Sequence, residues 1–307
     1  DCELYFDVPM PAAAEQKTDF KVAWSIYVGW MPWGYAGDTG IVRKWADKYG
    51  LTIEVTQFND YVESINQYTA GAYDAVTLTN MDGLSIPAAG GVDTTAVIVG
   101  DFSNGNDAVI LKDGAALADI EGRSVNLVEF SVSHYLLARA LETAGLKMAD
   151  VKTVNTSDAD IVAAYSAADT KALVTWNPQL SEVKKAPGAT LVFDSSKIPG
   201  EILDGLMVST DELKANPNLG KALTGIWYET LALTVAQTPE GKAAREAMAK
   251  LSDAIERLVR SGQAMQGGFD GLALDVEHAG LEEHLDLGFH GFPDLFAFFP
   301  EEKAQSV

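Results

Sequence analysis

The amino-acid sequence predicts an α/β protein with two lobes, each a mostly parallel sheet flanked by helices, and a candidate ligand cleft between the lobes. Two observations predict this class. From Asp19 onward, short apolar, β-rich segments alternate with segments of helical spacing, which is typical of parallel sheets. Polar and aromatic clusters also follow successive strands, at the sheet edge where ligands bind in such proteins.

The chain has 307 residues, enough for two domains of about 150 residues each. The order of the elements predicts a lead-in over 1–18, a first lobe built from 19–105 and 206–307, and a second lobe from 106–205. The chain is expected to cross between the lobes near 104–107 and to return near 200–205.

The first lobe is expected to begin with alternating strands and helices. Its predicted strands are Phe20–Val28, Leu51–Phe58, Tyr73–Leu78 and Ala96–Val99, and its predicted helices include Thr39–Tyr49 and Tyr61–Ala70. Glycine and proline predict a loop over Gly29–Gly34. Asp60 is placed to cap the second of these helices, with Glu63 at the capping-box position.

The second lobe repeats the pattern. Its predicted strands are Ala108–Leu111, Ser124–Val128, Val151–Asn155, Ala172–Thr175 and Thr190–Phe193, with helices from Ser131 and from Ser157. A strand over Glu201–Ser209 and two long helices, Pro217–Gln237 and Pro239–Arg260, then return the chain to the first lobe.

The charge balance disfavours two classes of partner. Lys and Arg number 22 against 44 Asp and Glu, a formal net charge of −22. Such an excess of acid repels phosphate backbones and anionic lipid, so no nucleic-acid or membrane-surface partner is expected. The apolar stretches are also shorter than the ~18 residues that a membrane span requires.

The cysteine and the histidines of the tail do not form a disulfide or metal-binding pattern. The single cysteine, Cys2, cannot form an internal disulfide or a cysteine zinc cluster; so close to the start it is a candidate lipid-attachment site or an exposed thiol. His278, His284 and His290 lack the spacing of a zinc helix and are expected at the surface. We therefore expect no metal and no cofactor.

Motifs of catalysis are missing as well. The sequence has no dinucleotide-binding glycine motif after the first strand, no phosphate-binding loop and no nucleophile elbow. Ser131, Ser133 and His134 lie too close together at one helix start for triad geometry. The sequence therefore predicts a protein that is not an enzyme.

Aromatic residues and loop carboxylates carry more information. Trp30, Trp33 and Trp176 follow strands, where their faces can stack on a planar group or receive a cation. Carboxylates at the ends of strands in both lobes can accept hydrogen bonds from a donor-rich cation. The serine-capped helix at Ser131 points the other way, because a helix N-terminus favours an anion. Both ligand classes stay open on this reasoning.

Seven runs of residues together resemble one family, although each run alone is a weak signal. They are Trp24–Gly34, Phe58–Ser64, Thr79–Asp82, Asp101–Asp107, Ser131–Tyr135, Thr175–Pro178 and Ile198–Ile202. Over roughly 21–250 the chain resembles the periplasmic substrate-binding proteins of ABC transporters associated with urea carboxylase, within the wider class for nitrate, taurine, sulfonates and thiamine precursors.

The resemblance implies a type II periplasmic binding protein whose lobes close on the ligand by a hinge. It further implies an exported, monomeric protein that delivers guanidinium or urea to an ABC permease. The ligand contacts that it implies are Trp30, Asp60, Asn80, Asp82, Glu129, Ser131, His134, Trp176, Glu201 and Asp204. Of the two ligands, the carboxylates and indoles favour guanidinium, a planar and weakly hydrated cation.

Other readings remain. A small anion such as nitrate or an alkylsulfonate is the first alternative, and a sensor domain on the same fold is another. The related pyrimidine-precursor synthases use a cysteine-rich motif, which one cysteine cannot supply. After about Lys250 the sequence departs from the family, and Gly267–Pro300 is rich in Gly, His and Phe. We expect its phenylalanines to dock on the first lobe: Phe289, Phe292, Phe296, Phe298 and Phe299.

Overall fold

The computed structural model describes residues 16–250, with the side chains of residues 16–248. Several sequence predictions therefore lie outside the described residues. They concern Cys2, most of the lead-in, the tail histidines and the C-terminal phenylalanines.

The first sheet has five strands in the order β2-β1-β3-β10-β4. These are β1 (Asp19–Ser25), β2 (Thr52–Phe58), β3 (Ala75–Thr79), β4 (Thr94–Phe102) and β10 (Leu203–Ser209). Strand β1 pairs in parallel with β2 and β3, whereas β10 runs antiparallel to β3 and β4. One antiparallel strand thus lies inside an otherwise parallel sheet.

The second sheet repeats this arrangement in the order β7-β6-β8-β5-β9. Its strands are β5 (Asp107–Lys112), β6 (Ser124–Leu127), β7 (Lys152–Asn155), β8 (Ala172–Trp176) and β9 (Ala189–Asp194). Strand β6 is parallel to β7 and β8, and β5 is antiparallel to β8 and β9. Strands β5 and β10 are the first strands that the chain forms after passing from one sheet to the other.

Helices connect the strands. They are α1 (Met31–Thr39), α2 (Ile41–Lys48), α3 (Tyr61–Thr69), α4 (Asn80–Gly83), α5 (Val132–Thr143), α6 (Ile161–Ser166), α7 (Gln179–Val183), α8 (Thr210–Ala215), α9 (Pro217–Val235) and α10 (Pro239–Lys250). Single 3₁₀ turns form at Val28–Trp30, Leu117–Ile120, Met148–Asp150 and Ser195–Lys197, and a π turn at Leu84–Ala88.

The predicted fold class is confirmed: two mixed α/β sheets flanked by helices form the type II binding-protein fold. Below, "first lobe" and "second lobe" mean the two sheets with the helices packed on them. The residue boundaries proposed for the lobes stay a prediction.

The predicted loop Gly29–Gly34 is wrong. Helix α1 begins at Met31, because Pro32 in its first turn needs no hydrogen-bond donor there. Gly40, at φ 80°, ends α1 and starts α2, so the helix expected from Thr39 begins at Ile41. Trp33 therefore lies in the core rather than in a loop: it is 1% exposed and stacks on Trp227 with ring centroids 5.8 Å apart.

Two crossover segments between the sheets are held together by two buried serines. The Ser103 and Ser195 hydroxyls lie 2.7 Å apart. The backbone N–H of Gly105 donates to Ser195 at 2.8 Å, and that of Ser103 donates to the Ile202 carbonyl at 3.0 Å. Ser103 also donates to the carboxylate of Asp107. The outgoing and returning chains are thereby tied at one place.

A substitution at Gly205 can test how tightly β10 packs against β4. A Cβ there would lie 2.6 Å from the Ile98 backbone oxygen, a contact that no side-chain movement relieves. We expect Gly205→Ala to lower the free energy of unfolding by about 1–3 kcal/mol, measured by urea denaturation. Gly37→Ala on α1 is the matched control, since its Cβ would meet nothing closer than 3.9 Å. Equal stability of the two variants would contradict the described register.

Candidate functional site

The candidate site is a small cavity between the two lobes, where parallel strands end. Its free volume is about 10 Å³, room for roughly one water molecule. The lining residues are Tyr27, Trp30, Tyr61, Thr79, Asp107, Val132, Trp176 and Asp204. Thr79 ends β3 and Trp176 ends β8, so both lobes contribute their carboxyl-terminal strand edges.

Two aspartates reach the same edge because their strands run against the neighbours. Asp107 is the first residue of β5 and pairs with Trp176, while Asp204 is near the start of β10 and pairs with Thr79. An antiparallel strand begins where its parallel neighbours end. The backbone topology thus places a carboxylate from each crossover strand beside the cavity.

Four aromatic rings form a continuous wall across the two lobes. Ring centroids lie 4.9 Å apart for Tyr27 and Trp30, 5.3 Å for Trp30 and Tyr61, and 5.6 Å for Tyr61 and Trp176. Trp30 is only 5% exposed, and its indole N–H has no hydrogen-bond partner among the described residues. Because buried donors are normally paired, this N–H marks a place for a bound group.

Buried carboxylates give the cavity its electrostatic character. Asp82 is 0% exposed and Asp107 and Asp204 are each 3% exposed. Asp101 pairs with Asp204 across β4 and β10. Among the described residues, no Lys, Arg or His belongs to the cavity lining. The site therefore concentrates negative charge without an internal cation.

Burial dominates the acidity of these groups. It raises the pKa of Asp107 to about 7, against a lowering by the Ser103 hydroxyl, and the Asp82 and Asp101 carboxylates raise it further. Burial likewise raises the pKa of Asp82 to about 6, although the Tyr61 hydroxyl stabilises its charged form.

The pKa of Asp204 is also raised. Burial and then the neighbouring carboxylates of Asp101 and Asp107 raise its pKa well above the usual range. The Tyr27 hydroxyl, which faces Asp204, opposes this shift by stabilising the charged carboxylate. Asp204 is thus an acid that needs a proton or a cation beside it.

The N-terminus of α5 is occupied by the protein itself. Ser131 caps it by accepting from the Ser133 N–H at 3.2 Å, and its own hydroxyl donates to the Val128 carbonyl at 2.8 Å. The Val132 N–H faces the Asp82 carboxylate and lowers its pKa. The positive end of this helix is therefore balanced by a carboxylate from the first lobe.

The structure brings four of the ten predicted contacts together. Trp30, Trp176 and Asp204 line the cavity, and Asp82 lies directly behind Tyr61, whose hydroxyl it accepts.

Two of the others serve as helix caps. Asp60 accepts from the Glu63 N–H at 2.8 Å and caps α3, and Ser131 caps α5 as described. Neither side chain belongs to the cavity lining. Aspartate and serine at helix starts have this role in many proteins.

The remaining four lie in local networks outside the lining. The Asn80 amide donates to the Glu201 carbonyl and accepts from the Leu203 N–H, both at 3.0 Å. Glu201 accepts from the Arg139 guanidinium at 2.8 Å and from the Tyr135 hydroxyl. The Glu129 carboxylate accepts from Thr153.

His134 completes these four. Its Nδ1 accepts from the Phe130 N–H at 3.2 Å. For all ten residues, ligand contact stays a prediction.

Sequence reasoning left out Tyr27, Tyr61, Thr79 and Val132, and did not commit to Asp107. Asp107 carries a signal, since an acidic residue that opens an apolar strand has no core role. Tyr61 and Thr79 also lie beside quoted polar runs. Tyr27 reads as an ordinary strand residue, and only the fold brings it to Asp204.

A larger groove of about 580 Å³ lies on the first lobe alone. All of its lining residues fall within Trp24–Gln57, on α1, α2, β1 and β2. It lies along strands rather than at their ends, and no residue of the second lobe reaches it. The smaller cavity between the lobes is therefore the better site candidate.

Two features are absent from the described residues. Within 16–250, no three or more His, Cys, Asp or Glu side chains are arranged so as to hold a metal ion. No helix in that part of the chain is both long and apolar enough to cross a membrane.

The two sheets, with a cavity between the lobes, form the fold of the type II periplasmic binding proteins. Residues 21–252 match the model of the NMT1-like family, and the chain belongs to that family. A protein of Brucella abortus (strain 2308) is 25% identical over 271 residues, covering 81% of this chain and 83% of its own. Its name provisionally calls it a binding protein and gives no ligand.

Solved structures share the fold at low identity. The alkanesulfonate-binding protein SsuA of Xanthomonas axonopodis pv. citri, bound to MOPS, gives a TM-score of 0.66 at 17% identity, covering 87% of this chain and 95% of its own. The periplasmic nitrate-binding protein NrtA of Synechocystis PCC 6803 gives 0.61 at 13% identity, covering 76% and 65%. These likenesses show the fold; the narrower urea-carboxylase-associated group stays a resemblance.

The raised pKa values of these carboxylates predict how the stability of the protein depends on pH. A buried acid whose pKa is raised on folding stabilises the protein while protonated, and this stabilisation is lost as the pH rises through the raised value. We expect the ligand-free protein to lose a few kcal/mol of stability between about pH 5 and about pH 8.

Thermal unfolding across this range measures the effect. Asp107→Asn, which mimics the protonated acid, is expected to flatten the profile. A melting temperature that rises toward pH 8 would contradict the described burial of the carboxylates.

Proposed function

We propose that this protein is the solute-binding component of an ABC importer and that its ligand is a small planar nitrogen-rich cation, guanidinium first among them. One observation carries the proposal: two buried carboxylates, Asp107 and Asp204, and four aromatic rings line one cavity, and no cationic side chain among the described residues belongs to that lining. A ligand there must bring positive charge or donate hydrogen bonds.

Guanidinium can interact with both the carboxylates and the aromatic rings of the cavity. Its planar N–H groups can donate to Asp107 and Asp204 from opposite lobes, and charge-assisted hydrogen bonds of this kind are strong in a dry site. Its face can stack on Trp30 or Trp176, a cation–π contact of about 0.5–2 kcal/mol. Its weak hydration keeps the cost of removing it from water low.

Entry of the ligand requires the lobes to move. Room for about one water molecule is less than guanidinium needs, so the walls must separate. The Asp158 carboxylate of the second lobe accepts from the Tyr61 N–H at 3.3 Å, and Ser85 donates to the Phe130 carbonyl at 3.2 Å. These contacts cross the cleft and would break on opening, with Ser103 and Ser195 at the pivot.

An anion is the first alternative, because SsuA and NrtA are named for sulfonates and nitrate. In this chain, however, the Val132 N–H at the start of α5 already faces Asp82. An anion in the cavity would also lie beside Asp107 and Asp204. Buried like charges repel strongly, so the described residues disfavour this alternative.

Urea is the second alternative, favoured by the unpaired Trp30 N–H. That donor needs an acceptor, which urea has and guanidinium lacks; a bound water would serve equally. Urea carries no charge, so it would gain less from the carboxylates than a cation does.

The remaining parts of the proposal follow from the class. The mature protein would act outside the cytoplasm as a monomer, deliver its ligand to a membrane permease and catalyse no reaction. Cys2 would be the site of lipid attachment if the protein is anchored.

Parallel calorimetric titrations with guanidinium, urea, nitrate and taurine test the ligand class. The account expects saturable binding of guanidinium and a weaker response to urea. Ammonium is the control, because it carries the same charge as guanidinium but is not planar. Tight binding of nitrate or taurine would reject the cation proposal while leaving a binding protein.

Asp204→Asn isolates the charge. Removing a carboxylate from a buried, charge-assisted hydrogen bond is expected to weaken guanidinium binding about 10- to 100-fold and to change urea binding far less. Asp60→Asn is the matched control, because asparagine also caps a helix well and Asp60 lies outside the cavity lining. If Asp60→Asn lost as much affinity as Asp204→Asn, the ligand would lie at the start of α3 instead.

A further inference from the structure

Four carboxylates from four different elements lie in or near the cavity, and two of them, Asp107 and Asp204, line it. Asp82 comes from α4, Asp101 from β4, Asp107 from β5 and Asp204 from β10. Asp101 and Asp204 are register partners, and the space around Asp101 is filled: a Cβ on Gly29 would lie 2.5 Å from its Oδ2. Little water can therefore separate these charges.

Every element packed around this cluster contributes a neutral or acidic group. The first lobe adds the Tyr27 and Tyr61 hydroxyls and Thr79, and burial raises the pKa of both tyrosines well above the usual value. The second lobe adds Trp176 and the Val132 N–H, and the crossover adds Ser103. Among these groups only the Val132 N–H and the hydroxyl protons oppose the negative charge.

Two ionised carboxylates, Asp107 and Asp204, cannot share a space that holds about one water molecule without a counter-ion, and the nearby Asp101 carboxylate adds to the repulsion on both. Like charges in a desolvated site bind protons until the repulsion is relieved. We propose that the empty site holds protons and that a bound cation replaces them, releasing about one proton for each cation taken up. This inference rests on the proposed cation-binding function.

The exchange balances in charge, because one positive charge enters as the proton leaves. Asp204 is the first candidate to give up a proton, since it lines the cavity and both burial and the Asp101 and Asp107 carboxylates raise its pKa well above the usual range. Asp107 is the second, and its carboxyl group also accepts from Ser103 at the crossover. Acidification is then expected to weaken binding by up to about tenfold per pH unit.

Calorimetric titration with guanidinium at one neutral pH, in two buffers of different ionisation enthalpy, counts the protons. The expected result is release of about one proton per cation. Asp101→Asn removes one repelling carboxylate, so it is expected to bind guanidinium with a smaller release. Asp38→Asn, an exposed aspartate on α1, is the matched control and is expected to release as many protons as the unaltered protein.

Failure of this inference differs from failure of the proposed function. Guanidinium binding without proton release, at every pH from about 6 to about 8, overturns the exchange and keeps the cation ligand. Absence of guanidinium binding overturns both.

Infrared spectroscopy of the ligand-free protein is a second test that needs no ligand. A band of protonated carboxyl groups at neutral pH, reduced in Asp204→Asn and unchanged in Asp38→Asn, supports the stored protons. A spectrum without such a band overturns them.

Discussion

The site depends on one constraint: each sheet contains a single strand that runs against its parallel neighbours. Strands β5 and β10 begin at the edge where β8 and β3 end. Asp107 and Asp204 therefore lie beside Trp176 and Thr79, although they are far apart in the chain. Had these two strands run parallel, their first residues would lie at the opposite edge of each sheet.

The same strands join the site to the hinge. Ser103 and Ser195 tie the outgoing and returning chains, and Ser103 donates to the Asp107 carboxylate. A change in the charge of Asp107 therefore acts directly on the segment about which the lobes would turn. Asp107 would therefore couple the charge of a bound ligand to lobe closure, because its carboxylate lines the cavity and also accepts from Ser103.

Sequence reasoning was strongest where the pattern is set by burial in strands and helices. Alternating apolar segments predicted the two-sheet class, and the family resemblance named Trp176 and Asp204, which both line the cavity. Trp33 was misplaced because Pro32 was taken for a loop residue rather than for the first turn of a helix.

The roles of the other site residues could not be predicted from the sequence, because these roles depend on tertiary contacts. Asp60 and Ser131 have the same sequence signal whether they cap a helix or bind a ligand. Tyr27 and Asp101 reach Asp204 only through the packing of the Val28–Trp30 turn and the register of β4. The charge balance at the N-terminus of α5 could not be predicted from the sequence either, since it depends on Asp82 of the other lobe facing the Val132 N–H.

A crystal structure of the protein grown with guanidinium at neutral pH tests the central claim most directly. The account predicts one planar cation between Trp30 and Trp176, with N–H groups donating to Asp107 and Asp204. An empty interlobe cavity, or a ligand held at the start of α5 or in the groove along β2, would contradict it.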